Sequence, residues 1–244
     1  MDTSWIPPYL AAPRRRLAPL SLFVCAFLLV GCAEEETAAP LAESEERVME
    51  SQEDEGWTPL FNGVSMEGWT HVGDGEFVVE DGQLKTVGGM GLLWYNERPF
   101  RDVMLRVVYR NPDSSNAGVF IRIPERPTEP WMPVHRGYEV QIDDSEDDTH
   151  VTGVLYSMTE AMARPGQPDQ WNVMEITLDG PRTIVHVNGE LVTDYTEGDP
   201  KVEKKNDWDP ERGPRPEEGY IGLQNHGSED LVLFREISVR DLNE

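Results

Sequence analysis

The sequence predicts an all-β sandwich of two antiparallel sheets, on three observations. From Phe77 onward, apolar and polar residues alternate with a period of two in one segment after another. Turn formers are abundant, with 21 Gly and 19 Pro in 244 residues, and Asp81-Gly82 and Asn188-Gly189 each separate two alternating runs as type I′ hairpin turns do. Long helix-like runs are few.

Lys and Arg number 21 against 46 Asp and Glu, so the net charge is −25. Nucleic acid is excluded as a partner, because phosphate binding needs a basic surface. Arg14, Arg15 and Arg16 precede an apolar run from Leu17 to Val30, which is short for a bilayer span and reads as a signal peptide. Leu29-Val30-Gly31-Cys32 closes that run and resembles the bacterial lipobox, in which cleavage leaves a lipidated cysteine as the new N-terminus. Residues 1–31 are therefore expected to be a lipoprotein signal. The protein is expected to be exported and held by lipid on Cys32 at the periplasmic or cell-surface side of a membrane. Cys25 leaves with the signal, so the mature chain has no disulfide and relies on its core. Residues 32–55 are acidic, Ala-rich and poor in large apolar side chains, as in a disordered tether. The domain spans 56–244, enough for one sandwich with a good core.

Within it, Phe77 to Val79 and Gln83 to Val87 form a hairpin. Leu92 to Tyr95 is a third strand. Val103, Leu105, Val107 and Tyr109 alternate along a fourth, with Arg106 and Arg110 opposite. The Gly88–Gly91 loop lacks the spacing and following helix of a phosphate loop. In Ser115 to Ile123, Val119, Ile121 and Ile123 take one face, and Gly118, Phe120 and Arg122 the other. Glycine inside a strand often marks a close approach. Pro124 to Arg136 is a Pro-rich loop carrying Trp131 and His135.

The stretch Gly137 to Asp144 organises the rest. Tyr138, Val140 and Ile142 alternate with Glu139, Gln141 and Asp143, as in a half-buried strand. Two carboxylates and a carboxamide in register, with no cation beside them, are unusual for a solvated face. The acidic run Asp143 to Asp148 has oxygen ligands for calcium but not the spacing of an EF-hand, and a solvated turn fits it better. Thr152 to Tyr156 reads as a short strand, Met158 to Gln170 as a loop. Trp171 to Leu178, Thr183 to Val187 and Leu191-Val192 follow as strands. Asp194 to Glu218 is a long polar loop, which in a compact domain is functional or disordered. In Gly219 to Gly227, Ile221 and Leu223 face the core while Tyr220, Gly222, Gln224 and His226 face away. Leu231 to Asp241 closes the domain. If these strands are neighbours, Arg122, Glu139, Gln141, Asp143, Gln224 and His226 share one concave surface, and such a convergence of polar groups is the default candidate site.

The order of the motifs resembles a known family. Leu60-Phe61-Asn62-Gly63 with Gly68-Trp69, Ser-Asn-Ala-Gly-Val-Phe-Ile-Arg at 115–122, Gly-Tyr-Glu-Val-Gln-Ile-Asp at 137–143, Thr-Gly-Val-Leu-Tyr at 152–156, Trp171-Asn172, the Val-Asn-Gly hairpin, Gly-Tyr-Ile-Gly-Leu-Gln-Asn-His-Gly at 219–227 and Phe234 to Ile237 are similar to bacterial 3-keto-disaccharide hydrolase domains. The resemblance runs from about Trp57 to Leu242. Asn225 and Glu236 depart from it, standing where Asp and Asn are commoner. It implies a concanavalin-like jelly-roll sandwich and cleavage of glycosides oxidised to a ketone at carbon 3, as a hydrolase or as a lyase and hydratase acting through a 2-hydroxy-glucal. The ketone acidifies the carbon 2 proton. A base removes it, and the aglycone leaves carbon 1 by elimination. The resemblance offers Glu139 or Asp143 as base, His226 as acid or base, and Arg122 or a bound divalent metal as electrophile. Arg122, Gln141, Gln224 and Trp131 would bind substrate.

Two rival classes remain in view. One is a laminarinase-type glycosidase, in which Glu139, Gln141 and Asp143 would occupy the places of acids at i, i+2 and i+4. The other is a glycan-binding lipoprotein without turnover, using exposed aromatics such as Trp94, Trp131 or Trp208, with Trp57, Trp69 and Trp171 in the core. The sugar, the linkage, a metal requirement and the oligomeric state are not legible.

Overall fold

The computed structural model describes residues 56–112 and 115–243. The expected signal, Cys32 and the acidic tether lie outside these described residues. In chain order the domain contains strands β1 (Thr58–Pro59), β2 (Trp69–Gly73), β3 (Glu76–Glu80), β4 (Gln83–Val87), β5 (Gly91–Tyr95), β6 (Val103–Arg110) and β7 (Ala117–Ile123), a one-turn helix α1 (Met132–Arg136), then β8 (Tyr138–Ile142), β9 (Asn172–Asp179), β10 (Arg182–Val187), β11 (Glu190–Thr196), β12 (Tyr220–Asn225) and β13 (Leu233–Asp241). Among the described residues no helix is long and apolar enough to cross a membrane.

All pairings are antiparallel. One sheet runs β11-β10-β9-β6-β13-β4-β3, with β1 also on β13; the other runs β2-β5-β12-β7-β8. The two expected hairpin turns form, with positive φ at both Asp81 and Gly82 and at both Asn188 and Gly189. Between the sheets lies the main core. It includes Val119, Ile121, Tyr138, Val140, Ile142, Ile221 and Leu223 from the smaller sheet. These are the aliphatic faces read from period-two alternation.

Four local expectations are corrected. Thr152 to Tyr156 is not a strand. It runs as turns along β8, its only bridge being Val140 with Leu155. It covers that strand's edge through Gly153 N–H to Gln141 O (2.9 Å), Gln141 N–H to Val154 O (3.0 Å) and Tyr156 N–H to Glu139 O (2.9 Å). The Pro-rich loop contains α1. The long loop after β11 is tied down. Asp209 accepts from the N–H of Lys205 (2.8 Å) and Asn206 (3.0 Å) and from Ser157 Oγ (3.2 Å). Buried Arg215 donates to the carbonyls of Gly137 (2.7 Å) and His135 (2.8 Å).

The fourth correction is Arg122. A bulge breaks the register of β7 on β12, because Tyr220 faces Ile123 while Gly222 faces Phe120. Two residues of β7 therefore oppose Ile221 alone. Arg122 takes a left-handed conformation (φ +54°), and Gly219 must lack a side chain, since a Cβ there would lie 2.6 Å from Arg122 Cα. Alternation slips by one. Ile123 joins Phe120, Leu92 and Trp94 on the outer face instead of the main core. Arg122 is 2% exposed and turns to the end of the other sheet. There it donates to Thr183 Oγ1 (3.3 Å) and to the carbonyls of Gly180 (2.8 Å), Arg182 (3.0 Å), Pro216 (3.2 Å) and Glu217 (2.9 Å).

Candidate functional site

The candidate site lies on the outer face of the β2-β5-β12-β7-β8 sheet. Gly118 of β7 pairs with Gln141 of β8 on one side and Gln224 of β12 on the other; Phe120 pairs with Glu139 and Gly222. Strand alternation then puts Glu139 and Gln141 of β8 with Asp143 just after it, and Gln224 of β12 with His226 just after it, on the same surface. The half-buried expectation for β8 is corrected here, because both of its faces are buried. The turns at 152–156 border its edge, and Met132, Val134 and Tyr156 pack over the apolar part of the outer face around Trp94 and Phe120.

Gly118 is the hinge of the arrangement. A Cβ there would lie 2.7 Å from both Cγ and Oε1 of Glu139. The close approach that a strand glycine signals is thus made by the Glu139 side chain, which leans across β7 toward β12. Gly118→Ala is expected to displace that carboxylate and to cut activity at least about tenfold while the fold survives, read from turnover together with an unchanged circular dichroism spectrum. Wild-type turnover in this variant would show that the position of Glu139 over Gly118 is irrelevant.

Glu139 is 5% exposed. Loss of water pushes its carboxyl up to about 7, and the charge of His226 and a side-chain hydrogen bond from Gln224 only partly offset this. Burial also raises Asp143, against the hydrogen bonds from Ser145 N–H (2.9 Å) and Ser145 Oγ (2.6 Å) to its Oδ1. His226 moves the other way. Burial pulls it down, but Asp230, through a hydrogen bond and its charge, and then the charges of Glu139 and Asp143 lift it above the usual imidazole range. Gln141 Nε2 donates to Asn116 Oδ1 (3.2 Å). The carbonyl oxygens of Gln141 and Gln224 are buried with no partner. An acid, a base and unsatisfied acceptors so close together are suited to proton transfer on a hydroxylated ligand.

The structure therefore brings together Glu139, Gln141, Asp143, Gln224 and His226, and removes Arg122 from their surface. Trp131 is 40% exposed at the start of α1, beside Met132. Met132 lines an open groove of about 450 Å³ with Arg126, Glu125, Thr128, Glu129 and Arg136. That groove contains none of the titratable groups above, and its Arg136–Glu125 pair is an exposed ion pair. Those titratable groups lie in the cluster and not in the groove. Trp94 and Trp69 are buried, whereas Trp57 is flanked by Arg106 and Arg240 and Trp171 by Arg110 and Arg235. Among the described residues no group of three or more His, Cys, Asp and Glu side chains is arranged to hold a metal ion.

Sequence reasoning missed Asp230, whose Oδ2 lies 3.1 Å from His226 Nδ1. Its spacing of four from His226 was the available signal. Asn116, two residues before Gly118 on the same face, joins this surface through its bond from Gln141. Also missed was a row resembling a nucleophilic triad, with Ser157 Oγ 2.9 Å from His150 Nε2 and His150 Nδ1 2.9 Å from Asp147 Oδ1. Ser157 Oγ, however, donates to Asp209 Oδ1 (3.2 Å), and the following N–H, on Met158, is taken by Leu155 O (2.7 Å). With its proton held by Asp209 and the neighbouring Met158 N–H paired, this row ties loops together. The departure at Asn225 has a local reason. Its Nδ2 donates to Glu76 O (3.1 Å) and Val87 O (2.9 Å), which an ionised Asp could not do.

Residues 56–240 match the 3-keto-alpha-glucoside-1,2-lyase-like domain family. The chain belongs to this family. Membership supports a carbohydrate-active function for the family domain. Two Parabacteroides distasonis proteins described as candidate glycosyl hydrolases have similar structures. The first has a TM-score of 0.64 and 22% identity, covering 79% of this chain and 97% of that one. The second has a TM-score of 0.63 and 24% identity, covering 76% and 99%. The carbohydrate-binding module CBM66 of Bacillus subtilis follows at 0.51 and 14% identity, covering 71% and 96%. These likenesses show the fold of the family domain, a concanavalin-like jelly-roll sandwich. No curated protein matches the chain in sequence.

Proposed function

We propose that the domain cleaves 3-keto-glycosides by elimination across carbons 1 and 2, with Glu139 as the base. The observation that carries this reading is the buried Glu139 side chain, which lies over Gly118 on the surface it shares with His226 and whose carboxyl burial raises to about 7. A base of that strength suits a carbon 2 proton acidified by the neighbouring ketone near neutral pH. Glu139 takes the proton, and the electron pair moves to the carbon 3 oxygen as an enolate. The bond from carbon 1 to the aglycone oxygen then breaks. His226, raised by its carboxylate neighbours, donates a proton to the leaving oxygen. Water adding back across the double bond would complete a hydrolysis. Gln141 and Gln224 present oxygens suited to accept from sugar hydroxyls.

The test pairs a 3-keto disaccharide with its unoxidised parent in deuterated water. Only the ketone should be cleaved, with deuterium entering at carbon 2. Equal cleavage of the parent without exchange would replace this reading with a glycosidase. Binding of either sugar without turnover would replace it with a lectin.

Export and lipid anchoring belong to the same proposal, on the motif Leu29 to Cys32. The full chain should partition with membranes and Cys32→Ser should release it or block its processing. A mature N-terminus other than Cys32 would overturn the anchor.

A further inference from the structure

We propose that Asp230 is the positioning carboxylate of the site: it holds the Nδ1–H of His226 and so reserves Nε2 for substrate. The proposal rests on the catalytic reading of His226, but the pairing itself can be tested apart from it.

Asp230 lies in the loop between β12 and β13, and it is fixed from several sides. Its N–H donates to Gly227 O (3.3 Å), and its carbonyl accepts from Thr86 Oγ1 (3.4 Å). Its Oδ1 accepts from the Asn116 N–H (2.9 Å), and Oδ2 faces His226 Nδ1 at 3.1 Å. Gly227 makes room for this, since a Cβ there would lie 2.7 Å from Asp230 Oδ2. Both side chains of the pair are 22% exposed.

The charged groups that face His226 are Asp230 from its own loop, Glu139 from β8 and Asp143 just after β8. Only Asp230 bonds to the ring; Glu139 and Asp143 act on it by charge. An ionised carboxylate can only accept a hydrogen bond, so in the neutral imidazole the proton must sit on Nδ1. Nε2 is then the nitrogen that takes up and gives back a proton. A third group that orients the base is a general feature of proton-transfer sites, and its loss costs rate by allowing the wrong tautomer.

The experiment follows the ring nitrogens of His226 by nuclear magnetic resonance in the ¹⁵N-labelled protein, alongside turnover of the 3-keto substrate. In the wild type the neutral ring should carry its proton on Nδ1. Asp230→Asn keeps an oxygen for the Asn116 N–H but removes the charge. It should lower the His226 titration midpoint by about one pH unit, shift the tautomer toward Nε2–H, and cut kcat about 10- to 100-fold with KM little changed. Gly227→Ala keeps the charge and pushes the carboxylate away from the ring. It should move the same observables in the same direction, and it decides the matter if Asp230→Asn does not fold. An Nε2–H tautomer in the wild type, or an unchanged midpoint and tautomer in the foldable variants, would overturn the proposal. If the wild type turns over no 3-keto substrate, the proposed function fails, while the resonance data still decide the pairing.

Discussion

Glu139→Gln is expected to cut turnover about 10²–10⁴-fold and, at pH 8, to make the domain more stable. The sign follows from linkage. The Glu139 carboxyl is raised by burial from 4.5 to about 7. The folded state therefore holds a proton that the unfolded state has released, and stability falls as pH rises through that window. Above it, the full cost of a buried charge is present, about 3 kcal/mol at 1.36 kcal/mol per pH unit. Glutamine has the same shape and no charge, so it opens no cavity beside Gly118 and removes that cost. At 2–4 °C per kcal/mol for a domain of this size, the melting temperature at pH 8 should rise by about 6–12 °C. The gain should fade below pH 5, where Glu139 is itself protonated. Wild-type activity should rise as pH passes through about 7, where the base becomes ionised. A variant less stable than wild type at pH 8, or one of undiminished activity, would show that Glu139 is an ordinary structural carboxylate.

Arg122→Ala is expected to have the opposite profile, a large loss of stability with the chemistry left intact in the molecules that fold. The guanidinium gathers Thr183 Oγ1 and four backbone carbonyls from the β9–β10 turn and the segment before β12. Each buried acceptor left without a donor costs about 1–3 kcal/mol. Relaxation and water entry recover part of that, so a net loss of about 4 kcal/mol and a melting temperature lower by about 10 °C are expected. Arg122→Lys should recover only a fraction, because an ammonium cannot span five acceptors with the geometry of a guanidinium. A drop in kcat at constant stability would return Arg122 to the reaction surface.

How far the site was legible follows from these two residues. Glu139 obeyed simple alternation. Its strand has no bulge, Tyr138, Val140 and Ile142 all reach the main core, and the opposite face follows without any knowledge of neighbours. Arg122 sits on a strand whose apolar pattern looks equally regular. Its displacement depends on Gly219, just before β12, coming close enough to force a left-handed residue, and nothing within 115–123 carries that information. Asp230 was hidden for a related reason. Its contact with His226 is short in sequence, but its second contact is Asn116, 114 residues away. The short strand expected at 152–156 failed because its bonds to β8 form without regular strand geometry.

By itself the sequence determined the fold class, the main hairpins, the family and which faces of β8 and β12 carry polar groups. Periodicity, turn chemistry and motif order are local properties of the chain, so they can be read from it directly. Only the tertiary structure decided that β12 and β8 flank β7 in one sheet, that Glu139 crosses the gap left by Gly118, that Asp230 meets His226, and that Arg122 leaves their surface. Those outcomes depend on strand order, on a bulge and on how much water each carboxylate loses, which are properties of packed neighbours and not of any single stretch.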